Sequence, residues 1–351
     1  MTLAGDEAIL RGYARLQARR VAIVALLFVG MLVAFVADVA TGASSLSLSG
    51  VVGALLSPSS VEAGVRVIVW DVRLPYAVMA LLVGGALALA GAEMQTVLNN
   101  PLASPLTLGV QSAASFGAAV AIVLGLGIPG VPESWIVSAN AFALAFLSVL
   151  LLQGAARLRG AGAETLVLLG IAMAFAFNAL VSLIQFIATQ AALQQVVFWT
   201  LGSLTRASWE KLAILSVVLG ATLPFSLAAS WRLTALRLGE ERARSLGVDA
   251  SRLRFVALTR VSLLVATSVA FAGVIGFVGL VAPHIARLLV GEDHRVFLPA
   301  SVLTGAFVMS LASIVSKSIA PGTLIPVGIV TAIVGVPFFV ALVFGSRERA
   351  Q

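Results

Sequence analysis

Nine apolar stretches, 21–37, 77–98, 106–127, 135–152, 165–188, 212–231, 255–282, 296–319 and 325–344, dictate the solvent in which this chain can fold. A helix needs about 20 apolar residues to cross the hydrocarbon core of a bilayer, and each stretch has that length or nearly so. Only helices and closed barrels satisfy their backbone groups in hydrocarbon. Runs of this length are therefore read as membrane-spanning helices. Composition agrees, since 60% of the 351 residues are hydrophobic and 11% charged, against about 25% charged in a soluble domain. Little chain remains for a soluble domain. The 22 basic residues outnumber the 15 acidic ones, but they are scattered in short loops. They read as membrane orientation rather than as a nucleic-acid surface. With no cysteine and two histidines, disulfides, thiolate sites and a cysteine nucleophile are excluded, and no metal centre is expected.

Orientation follows from arginine placement. Arg11, Arg15, Arg19 and Arg20 precede the first stretch and put the N-terminus in the cytoplasm. Counting spans from there also leaves Arg157, Arg159 and the seven arginines of 232–260 inside. Arg347 and Arg349 follow the last stretch, so both termini are expected inside and the number of crossings must be even. The missing crossing is placed in 283–295 as a short or broken helix buried among its neighbours. The first stretch could instead be the apolar region of a signal peptide, but the even count requires it to be retained. Trp70, Trp135, Trp199, Trp209 and Trp231 all lie at or near span ends, the headgroup level that indole prefers.

Shifting the sequence by 182 residues aligns Leu81, Leu82 and Val83 with Leu263, Leu264 and Val265, and Ala90-Gly91 with Ala272-Gly273. Without a gap it then aligns Pro101 with Pro283 and Gly109 with Gly291. Either chance composition or duplication produces such a match; the prolines and glycines favour duplication. Five crossings per half would insert the halves with opposite orientation, as in many transporters. The expected fold is therefore an all-α polytopic membrane protein with ten transmembrane helices in two inverted five-helix repeats. Residues 1–20 form a cytoplasmic segment and 21–344 one transmembrane domain, followed by a tail, 345–351. The repeats cover about 21–190 and 209–344. In the second stretch Gly84, Ala88 and Ala92 recur every fourth residue, a spacing for close helix packing.

Several polar residues lie at membrane depth. Asn178, Ser182, Gln185 and Thr189 share one helix face by spacing, and such a stripe either lines an aqueous path or hydrogen-bonds a neighbouring helix. The last stretch, with Pro326, Gly328, Thr331, Gly335 and Pro337, is interrupted often enough to line a path. Glu93 reads either as a proton relay or as a side chain snorkelling to the headgroups. His284 and His294 lack companion carboxylates and are read as structural. No G-x-x-x-x-G-K-[ST], H-E-x-x-H or G-x-S-x-G motif occurs, so no catalytic residue is assigned, and ATP hydrolysis, if used, belongs to another chain.

Four ordered blocks together resemble the permease subunits of bacterial ABC importers for iron-siderophore chelates, haem and cobalamin. They are Arg73-Leu-Pro75 leading into 84–110, then 236–248 (LRLGEERARSLGV), 273–295 and 326–339, and the resemblance spans essentially the whole chain. It implies a cobalamin-importer-permease-like fold in the bacterial inner membrane, working as a homodimer in membrane lipid with its path on the two-fold axis. It also implies two ATP-binding subunits that carry the ATP, no permanently bound cofactor, and a periplasmic or lipid-anchored binding protein that delivers a ferric siderophore or haem. Cobalamin is the alternative cargo. A different class, a proton-coupled transporter using Glu93, would also accommodate inverted repeats.

The resemblance assigns residue roles. Within the loop 232–254, Gly239, Glu240, Ala243 and Gly247 belong to paired short helices that dock into the ATPase. Asn178, Ser182, Gln185 and Thr331 line the path, the loop 157–164 forms the cytoplasmic gate, and Arg73 and Lys317 meet the binding protein. Three departures stand out. Tyr76 replaces a second arginine of an R-L-P-R pattern, and Leu324 replaces a frequent glutamate. Where the family commonly reads A-D-x-x-A-R, this chain has Ala312, Ser313, Ser316 and Lys317, retaining the cation and losing the carboxylate.

Overall fold

Backbone amides surrounded by apolar side chains have no solvent partner and must pair within their own segment. Accordingly, among the described residues of the computed structural model (3–42, 46–105, 108–158, 163–320 and 322–345) every regular element is helical. In chain order these are α1 (Leu3–Ala40), α2 (Leu48–Leu56), α3 (Ala63–Val67), a π-helical turn (Ile68–Arg73), α4 (Leu74–Val97), α5 (Val110–Val123), α6 (Glu133–Leu158) and α7 (Ala163–Ile187). There follow α8 (Gln190–Thr200), a 3₁₀ turn (Leu204–Arg206), α9 (Trp209–Ala228), α10 (Ser230–Leu236), α11 (Glu240–Ser245), α12 (Ala250–Ala272), α13 (Val278–Val290), α14 (His294–Ser318) and α15 (Val327–Gly345). Seven of these helical segments are long and apolar enough to cross a bilayer, and three shorter apolar helices accompany them within α5, α13 and α15.

Two helices are central. The most apolar windows of α4 and α12 are 78% and 72% buried, whereas those of α1 and α7 are 11% and 6% buried, so α4 and α12 form the core and α1 and α7 its periphery. Small residues permit this packing. Gly84 lies against the backbone of Gly305 on α14, and Ala88 meets the same glycine, which is the close approach expected from the four-residue spacing. Gly91 faces the carbonyl of Gly279 with no room for a Cβ. Pro283, four residues on, has no N–H to offer that carbonyl, so α13 turns its open hydrogen-bond position toward α4.

The structure corrects several boundaries. The stretch 255–282 is not one span: α12 ends at Ala272, Gly273 takes a φ of +75°, and α13 begins at Val278, so the extra crossing starts five residues before 283 and contains Pro283. Hydropathy missed this break because Val274, Ile275 and Phe277 are as apolar as the flanking helices. The 182-residue shift brings α4 largely onto α12, but its gapless continuation lays the irregular connection 98–109 onto α13. The matching prolines and glycines therefore occupy different local structures. Thr189 leaves the α7 stripe; it is the N-cap of α8, and its side chain accepts from the amide of Ala192.

Candidate functional site

Between α9 and α12 the chain makes an elbow. Leu236 ends α10, and Gly239, at φ +101°, turns the chain into the six-residue α11. Gly247, at φ +80°, turns it out again, and Asp249 caps α12 through the amide of Arg252 at 3.0 Å. A Cβ at either glycine would meet nothing within 4 Å, so these positions need glycine for backbone conformation alone. Glu240 opens α11, where a carboxylate favours the helix N-terminus, and Ala243 is its one buried residue. Glu240 pairs with Arg254 of α12, and more loosely with Arg244 at 3.8 Å. Beside the elbow is a cleft of about 500 Å³ lined by Asn99, Asn100, Glu164, Leu236, Glu240 and Arg254.

The cleft adjoins the C-terminal end of α4, where successive residues are each tied to another element. Glu93 is fully buried and takes a forked pair from Arg260 of α12, with N–O distances of 2.7, 3.1 and 3.1 Å. It does not snorkel, and its carboxylate is committed to a guanidinium, which removes the free acid that a proton relay needs. The pairing was visible in outline: Glu93 and Arg260 are the single charged residues of two apolar stretches. Gln95 accepts from Arg287 at 2.9 Å, Thr96 meets His294 Nε2 at 2.8 Å, and the Val97 carbonyl accepts from Arg254 Nε at 3.1 Å. Asn99, in the left-handed region at φ +46°, accepts from Arg237 at 3.0 Å. His294 Nδ1 lies 3.0 Å from the Thr234 hydroxyl, so this histidine is structural, as expected. His284 packs edge-on against Phe338. No group of three or more His, Cys, Asp or Glu side chains able to hold a metal occurs among the described residues.

On α7 the structure keeps Asn178, Ser182 and Gln185 together. Asn178 and Ser182 are exposed, Gln185 is half-buried, and Ser182 donates to the Asn178 carbonyl at 3.0 Å. The same helix exposes Phe175, Leu183 and Phe186, so the polar stripe is flanked by large apolar side chains. Thr331 does not join this face in a single chain. It is buried, donates to the Gly328 carbonyl at 3.0 Å, and lines an apolar cavity of about 340 Å³ between α13, α14 and α15. Of the expected gate, 157–164, residues 159–162 lie outside the described residues.

At the opposite end of α4 the two expected docking cations are found inside the fold. Arg73 is buried and donates to the carbonyls of Ala40 at 2.7 Å and Val39 at 3.4 Å, closing the C-terminal end of α1. Lys317 is buried as well: its ammonium lies 2.6 Å from Asp38 Oδ1, 2.9 Å from the Asp38 carbonyl and 4.5 Å from the centre of the Tyr76 ring. Ser313 donates to the same carboxylate oxygen at 2.6 Å. Within the single chain, carbonyls and a carboxylate at the end of α1 hold both charges. The carboxylate absent from 312–317 is thus supplied by Asp38, one residue past the first apolar stretch and passed over in the sequence.

The same end carries a vestibule of about 650 Å³ lined by Glu133, Gln194, Gln195, Trp199, Ser203 and Arg206, among others. Arg206 donates to the Trp199 carbonyl at 3.2 Å and lies over that residue's indole, and burial holds its guanidinium down at about 10.

Known proteins resemble this chain in sequence and in fold. A model of the FecCD transport family matches residues 28–345. The chain is 37% identical over 316 residues to a protein of Methanocaldococcus jannaschii described as an ABC transporter permease, covering 88% of this chain and 90% of the relative. It is 38% identical over 283 residues to the molybdate import system permease of Haemophilus influenzae, covering 80% and 82%. Among solved structures, an inward-facing metal-chelate type ABC transporter superposes with a TM-score of 0.79 at 33% identity, covering 93% of this chain and 99% of that one.

Proposed function

The chain belongs to the FecCD transport family, as an ABC importer permease and not an enzyme, and from that premise we propose that it passes a ferric siderophore or haem across the bacterial inner membrane. In this reading it acts as a homodimer with two ATP-binding subunits and receives its cargo from a periplasmic or lipid-anchored binding protein. ATP is bound on the partner, and the permease itself has no resident cofactor. The seven long and three shorter apolar helices are the ten crossings, and both termini and the elbow face the cytoplasm.

The observation that carries the reading is the elbow, a six-residue helix set between two glycines of positive φ and exposed at every residue but Ala243. Glu240 and the turns at Gly239 and Gly247 form the ATPase contact, and Ala243, buried beneath them, seats α11 on the bundle. The exposed Asn178, Ser182 and half-buried Gln185 of α7 line the path, with Thr331 behind it in the α15 seam. A stripe of amides and a hydroxyl facing a hydrocarbon neighbour would be costly, and an aqueous channel removes that cost. Because Arg73 and Lys317 are buried, we assign them to shaping the surface that meets the binding protein rather than to touching it.

The test is uptake by the complete complex in proteoliposomes, loaded in turn with a binding protein carrying ferric siderophore, haem, cobalamin or molybdate. ATP-dependent uptake of an iron chelate or haem, unaffected by a protonophore, is expected. Preferential uptake of cobalamin would favour the alternative cargo, and uptake abolished by the protonophore at constant ATP would refute the ATP-driven reading.

A further inference from the structure

The elbow contrasts with the rest of the bundle in how weakly it is held. A helix of six residues is far below the length at which helices persist unaided. Among its own residues α11 has a single buried side chain, Ala243. It is joined to the body through Gly239 and Gly247, around which no atom stands within 4 Å of a would-be Cβ. The orientation of α11 must therefore come from side-chain contacts to the bundle. The closest of these is Glu240 with Arg254. Arg254 is one-tenth exposed where Glu240 is nearly half exposed, so the arginine is the fixed partner and the glutamate the one brought to it.

Arg254 has a second contact. Its Nε donates to the Val97 carbonyl at 3.1 Å, one of the last carbonyls of α4, which lack partners within their own helix. Three residues before α11, on its other flank, Arg237 repeats the pattern. It donates to Asn99 just beyond α4 at 3.0 Å and pairs with Glu292, between α13 and α14, at 2.6 Å. Arg287 of α13 joins Glu292 at 3.3 Å and Gln95 of α4 at 2.9 Å. The end of α4 is thus linked to both sides of the elbow through guanidinium forks, whose planar geometry transmits direction as well as attraction. α4 is also the most buried of the long spans, so a displacement delivered there reaches the whole bundle.

We propose that Arg254 is a positioning residue that couples the docking helix α11 to the core helix α4, converting movement of the elbow into movement of the transmembrane bundle, with Arg237 as the matching strut on the α10 side. The proposal rests on the elbow being the ATPase contact.

Two measurements on the assembled transporter test it. Arg254→Met keeps the apolar stem and removes both hydrogen bonds; Arg254→Lys keeps the charge and loses the fork. With Arg254→Met the ATPase should remain bound and hydrolyse ATP, while substrate moved per ATP falls by about tenfold or more, at least the factor expected from losing one of the two charge-assisted hydrogen bonds. Arg254→Lys should restore part of that loss. Because the chain has no cysteine, spin labels can be placed through Glu241→Cys and Leu102→Cys. Their distance distribution should broaden in Arg254→Met and narrow again in Arg254→Lys. An unchanged ratio of transport to hydrolysis, an unchanged distance distribution, or outright loss of the ATPase from the Arg254→Met complex would each overturn the proposal. The premise is checked separately: if a photoreactive label at 241 on the otherwise native chain captures no ATPase, the docking reading fails, whatever Arg254 does.

Discussion

The pair between Asp38 and Lys317 offers the sharpest test of how the two peripheral ends of α1 and α14 are held. Their side chains are 0% and 3% exposed and 2.6 Å apart. Replacing one member leaves the other as a buried charge without its counter-ion, which costs about 3–5 kcal/mol, whereas replacing both leaves no unpaired charge and adds little to the cost of either change alone. Asp38→Asn leaves the ammonium a neutral amide oxygen, the backbone carbonyl of residue 38 and the face of Tyr76, with no counter-charge, and Arg73 closes the same helix end. Lys317→Met leaves the carboxylate chiefly the Ser313 hydroxyl. We predict about 3 kcal/mol for each single change and little more for the double, a coupling energy of about 2–3 kcal/mol, at the upper end for contacting residues. In a chain of this size about 2 °C of melting temperature accompanies each kcal/mol, so each single variant should melt about 5–6 °C lower. The assay is thermal unfolding of the detergent-solubilised permease, followed by loss of the monodisperse species on size exclusion. If the single effects simply add in the double variant, the two residues do not act as a pair and the reasoning is refuted.

Four further outcomes follow from the same geometry. Glu93→Gln and Arg260→Met should each lower membrane yield sharply, by about 3–5 kcal/mol of stability; a Glu93→Gln protein that accumulates normally yet loses only proton dependence would reinstate the relay. Gly91→Ala forces a Cβ into the Gly279 carbonyl and should cost about 1–3 kcal/mol by overpacking, while Gly220→Ala, in open space within α9, should stabilise by about 0.5–1 kcal/mol; thermal melting of the two distinguishes them. Thr189→Ala removes the cap of α8 and should cost about 1 kcal/mol, detectable as faster hydrogen exchange at 190–194. Gln185→Leu should leave expression and assembly near normal but alter uptake, and loss from the membrane with unchanged uptake per remaining complex would make the stripe a packing seam.

What the chain's linear order made legible is what depends on neighbours in sequence. Apolar length set the helical, membrane-embedded class, and eight of the nine stretches correspond to single long or short helices, with ends shifted by a few residues except that α1 begins 18 residues before its stretch. Gly239 and Gly247, assigned to the short docking helices through the family resemblance, sit at the two ends of α11 with positive φ, a local demand that glycine meets. Hydropathy could not locate the break at 273–277, since a chain interruption buried against other helices stays as apolar as what it interrupts. Thr189 misled for a related reason: helical spacing continues on paper past the point where α7 stops.

The roles of the buried charges belonged to the tertiary structure alone. Glu93 finds Arg260 across 167 residues, and Asp38 finds Lys317 across 279. Read singly, Glu93 looked like a relay or a snorkelling acid, and Lys317 like a docking cation. In a low-dielectric interior the state of a charge is set by whichever opposite charge stands within a few ångströms, and that is decided by which helices pack together. Helix existence is a property of a segment and can be read from it; the partner of a buried charge is a property of the assembled bundle.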